Sequence, residues 1–306
     1  MGTNEEIQAL GAAITRAASL QTYATVRYLV DSERVGEAYQ AYAYFRWVDD
    51  WLDEPRRQRA DRLAFVQRQS ALIDQCYEGG NARTEALEEE MLVSLVRTDP
   101  EQSSGLYSYI RNMLAVMAFD AERRGRLISQ AELDSYQRAL ATAVTEALHY
   151  FIGHGAAAPR DATRYLAAEG AHIVHMLRDT VEDCELGYFN VPREFLNANG
   201  ITPDDIDCES YRWWVKGRVE LARSYFLAGR LYLSQAKSLR CRLAGYAYIA
   251  RFEGVLDSIE RDGYLLRPEY RDAKGARAGA QMGWSILWAA LMDRRAAPQS
   301  SVLTTR

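Results

Sequence analysis

Proline is scarce in this chain, seven in 306 residues, and β-branched residues seldom cluster, which removes the usual basis for an all-β reading. Cysteine is scarcer still. Cys76, Cys184, Cys208 and Cys241 stand far apart with no CxxC pair, which excludes a zinc knuckle or a disulfide framework and fits a reducing compartment. No apolar run reaches the roughly 18 residues that a membrane-spanning helix needs. The opening MGTNEEIQAL is acidic and has no basic-then-apolar leader, so a cytoplasmic protein is expected, with peripheral membrane contact left open. Positive charge is also in short supply: 37 Lys and Arg face 42 Asp and Glu, a net charge of −5. That balance offers no polycationic face for a phosphate backbone and argues against a nucleic-acid partner. The Gly-His-Gly at Gly153 to Gly155 is not a phosphate loop, and no GxSxG or GxGxxG motif follows a strand.

What the chain does have is apolar residues recurring at three and four positions, the period of a helix with one buried face. The expected fold class is all-α. Helices are expected over 5–18, 20–30, 34–54, 57–77, 82–98, 103–124, 129–153, 159–186, 207–237, 239–262 and 272–293. Glycine and proline mark the breaks between them, at Gly79-Gly80, Asp99-Pro100, Gly153 to Pro159, Gly187 to Pro192 and Gly200 to Pro203. With 48% apolar content and no break in composition, residues 1–295 read as one domain, and 296–306 as a flexible C-terminal tail.

Two helical segments carry acids where buried residues belong. YFRWVDDWLDE, Tyr44 to Glu54, puts Asp49 and Asp53 four apart on one face of an otherwise apolar helix, with Asp50 and Glu54 one position round. Like charges at that spacing repel, and a divalent cation between them reverses the sign; hard oxygen ligands on a stiff helix suit magnesium. A solvated helix end leading into Arg56-Arg57 would explain the same acids. A second segment, HIVHMLRDTVED, aligns His172, His175, Asp179 and Asp183 on one stripe. Arg46 lies one turn before Asp49, and Arg178 immediately precedes Asp179. Two such helices facing each other would form a site for magnesium and diphosphate.

These segments resemble the squalene and phytoene synthase family, the head-to-head class of prenyl-diphosphate synthases. The matching pieces are Tyr42-x-x-x-Arg46-x-x-Asp49-Asp50-x-x-Asp53-Glu54, Met117-x-x-Asp120, Leu133-x-x-Tyr136, Leu177-Arg178-Asp179-x-x-Glu182-Asp183-x-x-x-Gly187 running to Val191-Pro192, and Phe252-x-x-x-Leu256 with Arg267 and Lys274. They run in family order over roughly residues 20 to 290.

The resemblance implies a single helical bundle of the isoprenoid synthase type around a central apolar cavity. It implies a prenyltransferase that ionises an allylic prenyl diphosphate and joins two farnesyl-sized or similar chains head to head through a cyclopropyl intermediate. Two or three Mg2+ ions with diphosphate would sit on Asp49, Asp53, Asp179 and Asp183, with Asp50 and His175 as further ligand candidates. Tyr42, Arg46, Arg178, Arg267 and Lys274 would hold the diphosphates, since arginine forks and lysine point charges suit phosphate. Tyr136 matches the family's active-site tyrosine, whereas Asp120 matches a position read as structural. The chain also departs from the pattern. His172 and His175 stand where the family usually has Gln and Asn, Tyr188 replaces an arginine, and Phe252 replaces a second active-site tyrosine. An imidazole can act as a base near neutral pH. The changes at Tyr188 and Phe252 favour a second reading in which the cation is cyclised or captured by an amine or alcohol. A third reading, a catalytically silent binding or assembly partner, predicts broken aspartate pairs, and both pairs are intact. Chain length, use of a nicotinamide reductant and oligomeric state have no signature in the sequence.

Overall fold

The structure, a computed structural model, describes residues 4–80 and 82–270. Among these there are eleven α-helices and no strand. Capping chemistry sets many of the boundaries. Between α1 (Asn4–Ala18) and α2 (Leu20–Leu29) stands Ser19, whose hydroxyl accepts from the Thr22 N–H. After α3 (Val35–Asp53), α4 (Arg59–Tyr77) and α5 (Leu87–Thr98), Ser104 opens α6 (Gly105–Arg123) in the same way. A reciprocal capping box of Ser129 and Glu132 opens α7 (Gln130–Phe151). The remaining helices are α8 (Leu166–Leu186), α9 (Arg193–Asn199), α10 (Glu209–Gln235) and α11 (Leu239–Arg261).

The helices bury two large apolar clusters. The first gathers residues of α2 to α7, among them Tyr44, Val48, Leu52, Ile73, Leu92 and Ile110. In the second, α8, α10 and α11 enclose Val174, Leu177, Val215, Phe226, Ile249 and Leu256. α7 packs on both α6 and α8 and so forms the seam. Small residues let α8 and α10 close up: a Cβ on Gly229 would come within 2.6 Å of the Ala167 Cβ. No helix among the described residues is long and apolar enough to cross a membrane.

Most expected helices differ from the observed ones by one or two residues at their ends. Three differences have local causes. The helix expected from 159 divides into a 3₁₀ turn, Ala162–Tyr165, capped by Asp161, followed by α8. α5 starts at Leu87 because the fully buried Glu89 carboxylate binds Arg68, Gln69 and the Glu85 N–H, which anchors the preceding residues outside the helix. α9 had no expected counterpart: it is one short element between Pro192 and Gly200. The helix expected over 272–293 and the tail 296–306 lie outside the described residues.

Candidate active site

The last two turns of α3 and the middle of α8 meet where the two apolar clusters adjoin, and their acids face one cavity of about 310 Å³. Its walls take Arg46, Asp49, Leu52 and Asp53 from α3, Asp120 and Arg123 from α6, and Tyr136 from α7. α8 contributes His172, His175, Met176, Asp179 and Asp183, and the segment after it Tyr188 and Asn190. That segment turns sharply at Gly187, which ends α8 in the left-handed conformation at φ 85°. The Gly187 carbonyl accepts from the Gly125 N–H at 2.8 Å, which pins the exit of α8 to the exit of α6.

The two acidic stripes have different electrostatics. On α3, Arg46 donates to Asp50, and its other Nη lies 3.4 Å from Asp49. Burial and the neighbouring Asp53 charge push Asp49 up to about 7. On α8, burial works against the Asp179 charge, but His175 Nε2 at 3.1 Å and a two-pronged Arg178 at 2.6 Å hold its carboxyl well below the usual range. One turn on, burial and Asp179 itself push Asp183 up to about 7.

A hydrogen-bonded chain crosses beneath these acids. Asn190 Nδ2 donates to Asp183 at 2.6 Å and its Oδ1 accepts from Arg123 at 2.8 Å; Arg123 Nε donates to Asp120 at 2.6 Å, and the Tyr136 hydroxyl donates to the same carboxylate at 2.9 Å. Burial opposes the charge of Arg123, and Asp120 and Tyr136 outweigh it, so the guanidinium stays ionised. Burial and the Asp120 charge raise Tyr136 well above the ordinary phenol range. Neither Arg123 nor Asn190 stood out in the sequence. Arg123 had a readable signal, its place one turn after Asp120; Asn190 had none.

Asp49, Asp53, Asp179, Asp183, Arg46, Tyr136, His172 and His175 therefore share one cavity. Other expected residues lie elsewhere. Asp50 is outside the lining and exposed, because Arg46 draws it along the outer face of α3. Arg178 also lies outside the lining and acts on Asp179, and Tyr42 stands beside Arg46. Phe252 belongs to the second apolar cluster, 4% exposed, its ring 6.2 Å from His175 and 5.1 Å from Tyr248. Arg267, expected to hold diphosphate, is exposed and paired with Asp262 just past α11, outside the cavity lining. Lys274 lies outside the described residues. One cation was missed: Arg251 of α11 stands near Arg178, Asp179 and Tyr42.

Residues 15–277, which contain every element of this site, match the family model described as squalene/phytoene synthase. The chain belongs to the squalene/phytoene synthase family. A chloroplastic phytoene synthase from Daucus carota is 29% identical over 96 residues, a stretch that covers 30% of this chain and 24% of that protein. The fold agrees with the squalene synthase HpnC of Alicyclobacillus acidocaldarius, at TM-score 0.66 and 20% identity over 86% of this chain and 97% of that one. It also agrees with a dehydrosqualene synthase solved in complex with ligand, at TM-score 0.72 and 14% identity over 95% and 98%. This squalene/phytoene synthase family member thus has the all-α isoprenoid synthase fold, and its relatives are prenyltransferases of isoprenoid biosynthesis.

The residues present fit the magnesium ions that the family implies. Among the described residues no three His, Cys, Asp or Glu side chains converge to cage an ion alone. The donors are instead two carboxylate pairs, a hard-oxygen set that leaves coordination positions for water and phosphate oxygens. The raised Asp49 and Asp183 mark where burial and a neighbouring acid disfavour a carboxylate charge that a bound cation would offset. His175 fits such a set less well, since its Nε2 is already turned to Asp179. The family position where arginine is expected holds Tyr188, yet cationic character persists there: the guanidinium carbons of Arg123 and Arg124 lie 5.0 and 5.7 Å from its ring, and its hydroxyl donates to Asp53 at 3.3 Å.

Proposed function

We propose that this protein is a magnesium-dependent prenyltransferase that ionises an allylic prenyl diphosphate and condenses two farnesyl-sized prenyl diphosphates head to head into a linear terpene. The observation that carries this reading is the convergence of two carboxylate pairs, one from each half of the bundle, on one cavity where burial and the neighbouring acid raise Asp49 and Asp183 despite Arg46 and Arg123 nearby. Asp49, Asp53, Asp179 and Asp183 would hold the ions. Bound magnesium supplies the concentrated positive charge that stabilises a departing diphosphate.

The protein's own groups supply the rest. Arg123 and Asn190 fix the Asp183 carboxylate in place, and Arg178 and His175 fix Asp179, so the acids are positioned before substrate arrives. Arg46 and Tyr42 stand at the α3 side of the mouth, where N–H and O–H groups can donate to phosphate oxygens. Leu52, Met176 and the ring of Tyr136 give the cavity its apolar wall, which keeps water from the cation. Tyr136 stays a neutral phenol whose proton is committed to Asp120, so it presents no nucleophilic phenolate.

The test is incubation of the purified protein with Mg2+ and radiolabelled geranyl, farnesyl or geranylgeranyl diphosphate, with and without a nicotinamide reductant. A hydrocarbon or cyclopropyl diphosphate of doubled chain length is expected. Cyclised monomers, adducts to an added amine or alcohol, or no diphosphate release at all would each overturn the reading.

A further inference from the structure

Head-to-head condensation contains a proton transfer to which the site described so far assigns no group. Once diphosphate leaves the donor, the double bond of the second chain forms a C–C bond to the cation and leaves a new cation on the acceptor. Closing the three-membered ring then breaks a C–H bond on the donor carbon that carried the diphosphate. Its electron pair becomes the last ring bond, and its proton needs a base. Tyr136 is badly placed for that role. Its O–H is committed to Asp120, and the Arg123 guanidinium lies 4.9 Å from its ring centre, so its oxygen is a feeble acceptor.

His172 has the opposite character. It lines the cavity, is 7% exposed, and neither Nδ1 nor Nε2 has a hydrogen-bond partner. Among the described residues lining the cavity, no other side chain has a buried nitrogen or oxygen without a partner. Native proteins rarely leave a buried polar group unpaired, and a reacting ligand is one of the few reasons to do so. Its ring centre is 5.1 Å from that of Tyr136. Burial keeps the imidazole neutral, and the charged or titratable groups around it act the same way: His175 on its own helix, Arg123 of α6 and Arg218 of α10. A neutral imidazole has one N–H and one free lone pair.

We propose that His172 is the base that accepts the ring-closing proton, its lone-pair nitrogen becoming an N–H and the ring an imidazolium that returns the proton to water when product leaves. This deepens the head-to-head reading and rests on it. The amide usual at this position in the family, as the resemblance implies, has no comparable lone pair, so the base would be particular to this chain.

The experiment uses the full chain with Mg2+ and farnesyl diphosphate, without reductant, and measures diphosphate release and product composition separately. In His172→Phe, release should stay within about threefold of wild type while the cyclopropyl fraction, counted as cyclopropyl diphosphate plus the doubled-length hydrocarbon formed from it, falls at least about tenfold in favour of uncyclised alkenes and alcohols. Its Tm should be unchanged or higher, since two unpaired nitrogens are removed. In His172→Ala, which opens space beside Tyr136, imidazole added to the buffer should restore the cyclopropyl fraction. A cyclopropyl fraction in His172→Phe equal to wild type overturns the proposal, as does a parallel loss of release and product, which would place His172 at ionisation. Absence of rescue in a folded His172→Ala also counts against it. If wild type itself yields no product of doubled chain length, cyclopropyl or linear, the head-to-head reading fails first, and the wild-type assay alone reveals that.

Discussion

Two aspartates four residues apart stand at the end of α3, and two more stand on α8, each with an arginine close by, yet the two halves of the bundle treat them differently. On α3, Arg46 pairs with Asp50 on the outer face and leaves Asp49 raised to about 7. On α8, Arg178 and His175 stabilise the first acid, Asp179, and it is the second, Asp183, that is raised. The same spacing therefore gives a first carboxylate that is strained on one helix and stabilised on the other. Identical sequence patterns fix which faces the acids share; burial and the placement of neighbouring cations decide which carboxyl is raised.

The largest expected effect breaks that symmetry. Asp49→Asn and Asp179→Asn should each lower turnover by at least about 10³, roughly 4 kcal/mol in the barrier. Their stabilities should diverge. Asp49→Asn removes one of two repelling acids, so its metal-free Tm should hold or rise, whereas Asp179→Asn leaves Arg178 and His175 without their partner and should lower Tm by about 2–6 °C. Scanning calorimetry of both variants checks this, and Tm shifts of the same sign would refute the comparison.

Next in size is the link between the halves. Arg123→Met leaves the Asp120 carboxylate without its cation and cuts Asn190 from α6, a change worth about 3 kcal/mol of stability. Adding Asp120→Leu should recover most of that loss in urea titrations, because an apolar pair replaces the ion pair, while activity stays low. A loss that the second substitution does not relieve would mean that Arg123 serves packing alone.

A smaller effect follows pH. Asp49 and Asp183 have folded-state values of about 7 against the ordinary 3.8, so the folded protein holds protons that the unfolded chain releases. Their stabilising contribution is complete below about pH 4 and is lost as pH rises through about 7. Asp49 keeps 40% of its side chain exposed, and solvent screening reduces the effect, so the metal-free Tm should fall by about 2–5 °C between pH 5 and pH 8. Saturating Mg2+ should flatten the decline, and its binding should tighten with pH and release protons, measurable by calorimetry in buffers of different ionisation enthalpy. A metal-free Tm that rises over this interval would contradict the raised values.

The sequence carried the helices, because a 3.6-residue period with glycine and proline breaks is a local signal, and both acidic stripes, because residues four apart on a helix must share a face. The Gly187 exit was legible for the same reason. What could not be read were contacts between segments far apart in the chain. Asn190 joins Asp183 to Arg123, 67 residues away, and no local pattern announces that bond. Asp120, read as structural, proves to be the half-buried hub on which Arg123 and Tyr136 meet. Phe252 and Arg267 matched a pattern by position, but where each turns, Phe252 of α11 to the second apolar cluster and Arg267, past the end of α11, to Asp262, depends on packing.

The smallest effect concerns the rim, where the comparison between α3 and α8 can be sharpened. Arg46 on the α3 side already donates to Asp50. On the α8 side Arg178 is committed to Asp179, but Arg251 from α11 stands close to Arg178 with no carboxylate paired to it among the described residues; burial and the Arg178 charge both weigh against its ionised form. A guanidinium held near a like charge gains most from an incoming anion, since a phosphate oxygen relieves the repulsion and restores lost hydrogen bonds. Arg251→Gln should therefore raise KM for the prenyl diphosphate about three- to tenfold, near 1 kcal/mol, and leave kcat within about twofold. Arg267→Gln, which removes only an exposed ion pair with Asp262, should change neither. Equal KM values for Arg251→Gln and wild type would show that the α8 rim needs no further cation and that the two sides of the mouth bind diphosphate alike.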